Sequence, residues 1–286
     1  MGILLALLSA TLGASKDLVS KHLTVSLDPT TSTFASFFFA LPFYVVALLC
    51  CTLTGHISFE VGASFWTLVL LRTLSDAAAE WSKLKSLSLG DISFVAPIIS
   101  LTPLFLLIIA PLITGDATSF HGIIAVVLSV LGSLLLFTER QSGKPKIKAV
   151  MFALITAFFF ALNSSFDRLT VQSAHPLVAG ATMTALAALL FLPPILYGAA
   201  KRAALKNSLT PLLIRGLLET GFMTIKLGAL FYLAPQYVSA IGRLSLLCTV
   251  IGGHVIYKEG YFWRRMSASA LIIAGVVMII AENYDR

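Results

Sequence analysis

Residues 65–87, FWTLVLLRTLSDAAAEWSKLKSL, and residues 212–233, LLIRGLLETGFMTIKLGALFYL, are two apolar stretches that carry the same charged spacing. Arg72, Asp76 and Lys83 stand 143 residues before Arg215, Glu219 and Lys226, so the pattern Arg-x3-acid-x6-Lys occurs twice. The same offset pairs Asp116 with Glu259 and Gly132 with Gly275. Asp28-Pro29 pairs with His175-Pro176 at an offset four residues larger, as expected if one loop between spans two and three differs in length from its counterpart. The spacing therefore divides the chain into a first half (1–138), a linker (139–148) and a second half (149–286).

The composition sets the solvent. The chain has 286 residues, of which 58% are hydrophobic and 12% charged; its mean hydropathy is +0.94. A soluble domain carries about 25% charged residues, so this chain has half the charge needed to cover a water-facing surface. It reads as an all-α integral membrane protein. Ten apolar segments are expected at 2–25, 33–53, 65–87, 92–113, 122–137, 149–171, 177–200, 212–233, 238–257 and 266–282. At about 20 residues per span they leave no room for a soluble catalytic domain. The first lacks a basic N-terminal region and runs past any small-residue cleavage site, so it is not expected to be a cleaved signal peptide.

Five spans per half is an odd number, and an odd number of crossings makes the second half enter the membrane from the opposite side. The expectation is two inverted five-helix repeats, a construction used by secondary transporters with the solute site at the repeat interface. Loop charges suggest an orientation. Arg140, Lys144, Lys146, Lys148, Lys201, Arg202, Lys206, Lys258, Arg264 and Arg265 fall on one face, against Arg168 and Arg286 on the other. Positive charge marks the cytoplasmic side, which places both termini outside.

The net charge of +7 does not come from one exposed basic run, so nucleic acid is not an expected partner. Basic residues also lie within the apolar segments. On a helix, positions i, i+4 and i+11 fall within about 40° of one another, so each triad shares a face. Each charged residue at bilayer depth costs about 2.5–3.5 kcal/mol, so both faces must turn inward. Glu80 in the third span has Met223 at its counterpart. One reading makes each arginine a local staple for the acid four residues on. The other makes Arg72, Asp76, Glu80, Lys83, Arg215, Glu219, Lys226 and Arg243 the lining of a solute site, cationic in balance. Asp76, Glu219 and His254 are the candidates for proton coupling, although a histidine beside Gly252-Gly253 is more often a packed one. Lys16, Asp17 and Lys21 of span one and Asn163, Asp167 and Arg168 of span six lie towards span ends, where headgroups or water are the expected surroundings. Pro97, Pro103 and Pro111 and the pair Pro193-Pro194 are expected kinks. Cys50, Cys51 and Cys248 lie in apolar stretches and suggest neither disulfide nor metal.

Three groups of residues stand out further: Gly13-Ala14-Ser15 through Lys21 with Asp28-Pro29, Ala96-Pro97 through Ser100-Leu101-Thr102-Pro103-Leu104 with Gly115-Asp116, and Tyr257-Lys258-Glu259 with the helix around Gly275. In these the chain resembles the drug/metabolite transporter superfamily, in particular the ten-helix EamA-type transporters built from two five-helix repeats. The resemblance implies a secondary transporter of small organic solutes with a central cavity between the repeats, in the plasma (inner) membrane. The chain departs from the family in a loop, 55–62, without basic residues, and in the charged triads themselves. Arg243 is similar in place to basic residues of sugar-phosphate and nucleotide-sugar carriers without matching their motif.

These readings point to a transporter of a small anionic or zwitterionic metabolite of amino-acid, organic-acid or phosphorylated type. The alternative is efflux of hydrophobic or cationic compounds. An enzyme is not expected, because the His-Glu-x-x-His and Gly-x-Ser-x-Gly patterns are absent, and no phosphate-binding Gly-x-x-x-x-Gly-Lys-Ser/Thr loop supports direct ATP coupling. No cofactor or metal is expected. The expected partners are the solute and the lipid bilayer, with a monomer or a homodimer both compatible.

Overall fold

Asp28 and His175 each precede a proline, and each begins a helix. Proline at the first helical position gives up an N–H that would have no partner there. The preceding side chain then accepts from the first turn: Asp28 Oδ2 from the Thr31 N–H at 3.3 Å, His175 Nδ1 from the Leu177 N–H at 3.2 Å. The two matching positions of the halves are thus matching N-caps.

The computed structural model describes residues 1–23, 27–55, 57–89, 95, 98–136, 147–245 and 262–284. Among them there is no strand, and the helices in chain order are α1 (Gly2–Leu23), α2 (Pro29–Phe38), α3 (Leu41–Leu53), α4 (Phe65–Leu89), α5 (Thr102–Thr114), α6 (Phe120–Leu136) and α7 (Ile147–Ser173). They continue as α8 (Pro176–Phe191), α9 (Pro193–Leu196), α10 (Ala199–Asn207), α11 (Leu209–Tyr232), α12 (Pro235–Gly242) and α13 (Phe262–Tyr284). By length and composition, Thr30–Leu53 and Ile147–Ser173 can each cross a membrane. Shorter apolar helices cover Gly2–Lys16, Thr102–Thr114, Phe120–Leu135, Pro176–Phe191 and Ser269–Glu282.

The expected segments and the helices differ in instructive places. The second segment begins earlier and is interrupted at Phe39 and Ala40, just before Pro42, whose ring cannot continue the helix. The Ala40 carbonyl accepts from the Phe43 and Tyr44 N–H groups, and the Thr220 hydroxyl of α11 lies 3.1 Å from the same oxygen, so the two helices touch at the interruption. Gly216, one turn earlier on α11, lets the helix approach: a Cβ there would lie 2.1 Å from the Phe39 oxygen. The seventh segment breaks at Leu192 before Pro193-Pro194, as expected, but the stretch after it is a correction. Residues given to a loop form α10, whose Lys201 lies 3.6 Å from Asp28. Pro111 lies inside α5. The linker at 139–146, the end of segment nine from 246 onward, Pro97, Cys248, Gly252-Gly253, His254 and Glu259 lie outside the described residues.

The packing is inverted relative to a water-soluble bundle. On α4, Trp66, Leu70, Leu74 and Trp81 are exposed while Arg72, Ser75 and Asp76 are buried. Apolar side chains outside and charges inside satisfy a hydrocarbon solvent. The most extensive pairings are α4 with α7, α6 with α13 and α1 with α11. Gly275 of α13 makes the second possible, since a Cβ there would lie 2.5 Å from the Ala125 oxygen of α6. The charged faces of α4 and α11 consequently look towards α7 and α1.

Candidate functional site

Arg72 and Asp76 are one turn apart on α4, and Arg72 Nη1 donates to Asp76 Oδ2 at 3.0 Å. A guanidinium has further donors, and burial requires that they be used. Arg72 Nε reaches across to α7 and donates to Asp167 Oδ1 at 3.1 Å. The other oxygen of that carboxylate, Oδ2, receives Lys226 Nζ of α11 at 3.0 Å. Asp167 has a side-chain exposure of 0%, so its charge is held wholly by these two cations. Asn163, one turn before it, donates from Nδ2 to Asp76 Oδ1 at 2.8 Å and accepts from the Ser75 hydroxyl. Three helices are thereby joined by two acids and two bases of zero net charge.

A second group lies on the α1 and α11 side. Lys16 Nζ pairs with Glu219 at 3.3 Å to Oε2 and 3.4 Å to Oε1. Its ammonium also sits 4.1 Å from the centre of the Phe222 ring, a favourable cation–π placement. Glu219 is within electrostatic reach of Arg215 on its own helix and of Arg72, so the groups share one field. Four cations, Arg72, Lys226, Lys16 and Arg215, face three acids, Asp76, Asp167 and Glu219. The described side chains leave one positive charge in excess.

Nearer one end of the bundle, Arg168 ties three elements. Its Nε and Nη2 donate to Asp116 at 3.0 and 3.3 Å, and its Nη1 donates to the carbonyls of Leu230 and Phe231 in the last turn of α11, the latter at 2.6 Å. A cation there also complements the negative end of the helix dipole. Gln236 of α12 donates to Thr118 Oγ1 at 2.6 Å, close to the same turn. Between α5 and α7, an outward-facing apolar groove of about 480 Å³ is lined by Phe105, Leu154, Ile155, Phe158 and Phe159. It contains none of the charged groups.

The expected site residues are thus sorted. Arg72, Asp76, Glu219 and Lys226 come together, with Arg215 beside Glu219. Glu80 and Lys83 do not enter the ion-pair network: Lys83 Nζ pairs with both Glu80 oxygens at 3.1 Å, and its side chain is 37% exposed. Arg243 is the C-cap of α12, and its buried Nε makes no hydrogen bond to a described residue. His254 lies outside the described residues. The local staple holds for Arg72 with Asp76, but Glu219 takes its ion pair from another helix.

The headgroup surroundings expected for Lys16, Asn163, Asp167 and Arg168 are corrected, while the side chains of Asp17 and Lys21 lie outside the described ones. Asp167 and Asn163 are buried, Lys16 is in an ion pair and Arg168 is tied to Asp116. A sequence signal for this existed. Asn163 and Asp167 are spaced i, i+4, as are Arg72 and Asp76, so each pair forms a polar face one turn long that demands a partner.

A sequence profile described as the EamA-like transporter family matches residues 1–138 and again 147–281. Among solved structures, the chain is similar to a protein crystal structure of 16% identity and TM-score 0.67, with coverage of 100% of this chain and 99% of that chain. At that identity the likeness shows the fold alone. No curated protein matches the chain.

Proposed function

The chain belongs to the EamA-like transporter family, multi-pass membrane transporters of the drug/metabolite type, and on that premise we propose that it carries a small anionic or zwitterionic metabolite by alternating access. The observation that carries this reading is the buried ion network joining α4, α7 and α11, with α1 bound to the same α11 face through Glu219. Charge held this deep is costly and is retained where it does work, on a pathway or in a relay. The excess positive charge favours an oxyanion over an organic cation. Arg72 and Arg215 are the binding residues for carboxylate or phosphate oxygens, with Lys226 and Lys16 as point charges beside them. Asp76 and Glu219 balance them and receive a solute ammonium or a coupling proton.

Two inverted five-helix repeats form the moving parts in this proposal, with each interrupted pair, α2 with α3 and α8 with α9, filling one crossing. Helix contacts support it. Exchanging the halves turns α4 against α7 into α11 against α1, α5 against α7 into α12 against α1, and α4 against α8 into α11 against α2. All six contacts are made, while α6 with α13 and α2 with α8 map onto themselves. Two of the ion pairs cross between the halves: Arg72 and Lys16 lie in the first, their partners Asp167 and Glu219 in the second, while Lys226 and Asp167 both belong to the second. Such pairs can be exchanged as the halves rock, at little cost in unpaired charge. Burial of Arg168 removes it from the loop-charge count, which strengthens the bias placing both termini outside the cytoplasm, across a plasma membrane.

The test is uptake by liposomes containing the purified protein, with a panel of labelled amino acids, organic acids and phosphorylated metabolites under imposed proton and solute gradients. Saturable uptake of at least one oxyanion is expected. Failure of the whole panel, with drug efflux intact, overturns the proposal in favour of hydrophobic or cationic cargo.

A further inference from the structure

Among the described acids, Asp167 is the one whose two carboxylate oxygens meet cations from two other helices, Arg72 Nε at 3.1 Å and Lys226 Nζ at 3.0 Å. We propose that these two groups form a carboxylate seat, that Asp167 fills it as a tethered stand-in when no solute is bound, and that a solute carboxylate binds by displacing it. This deepens the reading of the network as the solute site and rests on it.

Three features of the geometry argue for displacement over a fixed structural pair. First, the guanidinium divides its work. Nη1 holds Asp76 on the same helix, so Nε can exchange one carboxylate for another without releasing Arg72. Second, the backbone of α7 need not move, because Asn163 anchors that face to Asp76 independently of Asp167. Rotation about the aspartate's own side-chain bonds empties the seat. Third, Lys226 is 21% exposed while Asp167 is fully covered, so the seat is approached from its lysine edge.

Exchange of like for like also avoids the penalty of leaving two buried cations unpaired at any stage. A tether gives Asp167 a high effective concentration, so a simple carboxylate in solution competes poorly with it. A transported solute must add contacts elsewhere, and Asp167 thereby sets a threshold that rejects small carboxylates.

Removing the tether tests this. The full chain with Asp167→Gly is purified in detergent and its melting temperature followed as sodium acetate replaces sodium chloride at constant ionic strength. Acetate is expected to rescue the variant by a saturable rise of about 3–6 °C over chloride when present at about ten times its Kd. The unaltered protein should show no acetate-specific shift, because its own carboxylate fills the seat, and Asp167→Gly combined with Arg72→Gln should not respond. Should Asp167→Gly fail to fold, Asp167→Asn keeps the volume but faces Lys226 with a neutral amide, and a smaller acetate-specific rise is expected. Identical curves in acetate and chloride overturn the proposal and leave Asp167 as a fixed ion pair. That outcome is independent of the liposome panel, which decides the transporter reading on its own.

Discussion

The two halves place an arginine and an acid one turn apart on matching helices, yet they resolve those charges differently. On α4, the acid Asp76 meets Asn163 and the arginine meets Asp167. On α11, the acid Glu219 meets Lys16. At the offset set by Asp28-Pro29 and His175-Pro176, which is 147 residues, Lys16 corresponds to Asn163 and Ser20 to Asp167. Corresponding positions of α7 and α1 thus touch corresponding acids with a neutral amide in one case and an ammonium in the other. Asp167 has no acidic counterpart, and this one position draws Lys226 into the network while Lys83, its match, stays with Glu80 on its own helix. A shared scaffold therefore holds a closed, neutral cluster where α4 meets α7 and a cationic one where α1 meets α11, each drawing residues from both halves. The excess charge of the site comes from the α1 and α11 side.

The comparison can be broken most readily at Asp167. Replacing it with alanine leaves Arg72 and Lys226 facing each other in a buried site, and a loss of about 3–5 kcal/mol is expected from denaturant or thermal unfolding of purified protein. Glu219→Ala should cost clearly less, because Lys16 keeps its aromatic contact and is 17% exposed. Equal losses would mean that the halves are energetically alike.

Lys16→Asn copies the residue of one half into the other. Loss of one charge-assisted bond and of the ring contact predicts a destabilisation of about 1–3 kcal/mol, together with weaker binding of anionic solutes. Unchanged solute affinity in a binding titration would remove Lys16 from the cationic cluster. A double-mutant cycle on Arg168→Ala and Asp116→Asn should give a coupling energy of about 1–2 kcal/mol, since both groups are mostly covered. Zero coupling would reduce that contact to packing.

The smallest effect concerns the matching caps. Partial desolvation lowers the pKa of the otherwise exposed His175 below its ordinary 6.5, so the unfolded chain takes up a proton more readily than the folded one. Stability is therefore lost as pH falls below about 6.5, and the neutral Nδ1 acceptor is lost with it. Asp28 is shifted in the same direction, in a more acidic window. Partial desolvation raises its pKa, but hydrogen bonds from Thr31 and the Lys201 ammonium outweigh this and hold it below 3.8. Its contribution persists above that value and fades only as pH drops through the lower folded one. A melting-temperature decline between pH 7.5 and 5.5 that is reduced in His175→Asn is the expected result.

Much of the fold was legible because hydrocarbon imposes long apolar segments, and α1, α4, α6, α7, α11 and α13 lie over six of the expected stretches. The interruption at Phe39 and Ala40 is not legible, since a proline inside an apolar run does not say whether the helix bends or breaks; here Gly216 brings α11 against the Phe39 carbonyl. Half of the site was legible for a similar reason. Helical periodicity places Arg72 with Asp76 on one face, but it says nothing of the facing helix. Apolar periodicity places Asp167, Asn163 and Lys16 at span ends, because it measures depth along each segment separately. Position across the bundle decides their burial, and that depends on which helices meet.

If the matching arginines of the two halves serve one solute site, uptake into liposomes containing Arg72→Gln or Arg215→Gln will show it, beside Lys206→Gln at the exposed surface as a control for handling. Both arginine variants are expected to remain folded in the membrane and lose uptake by about tenfold or more, while the control retains it. Unchanged uptake kinetics in both arginine variants would contradict a shared solute site and assign the network to structure.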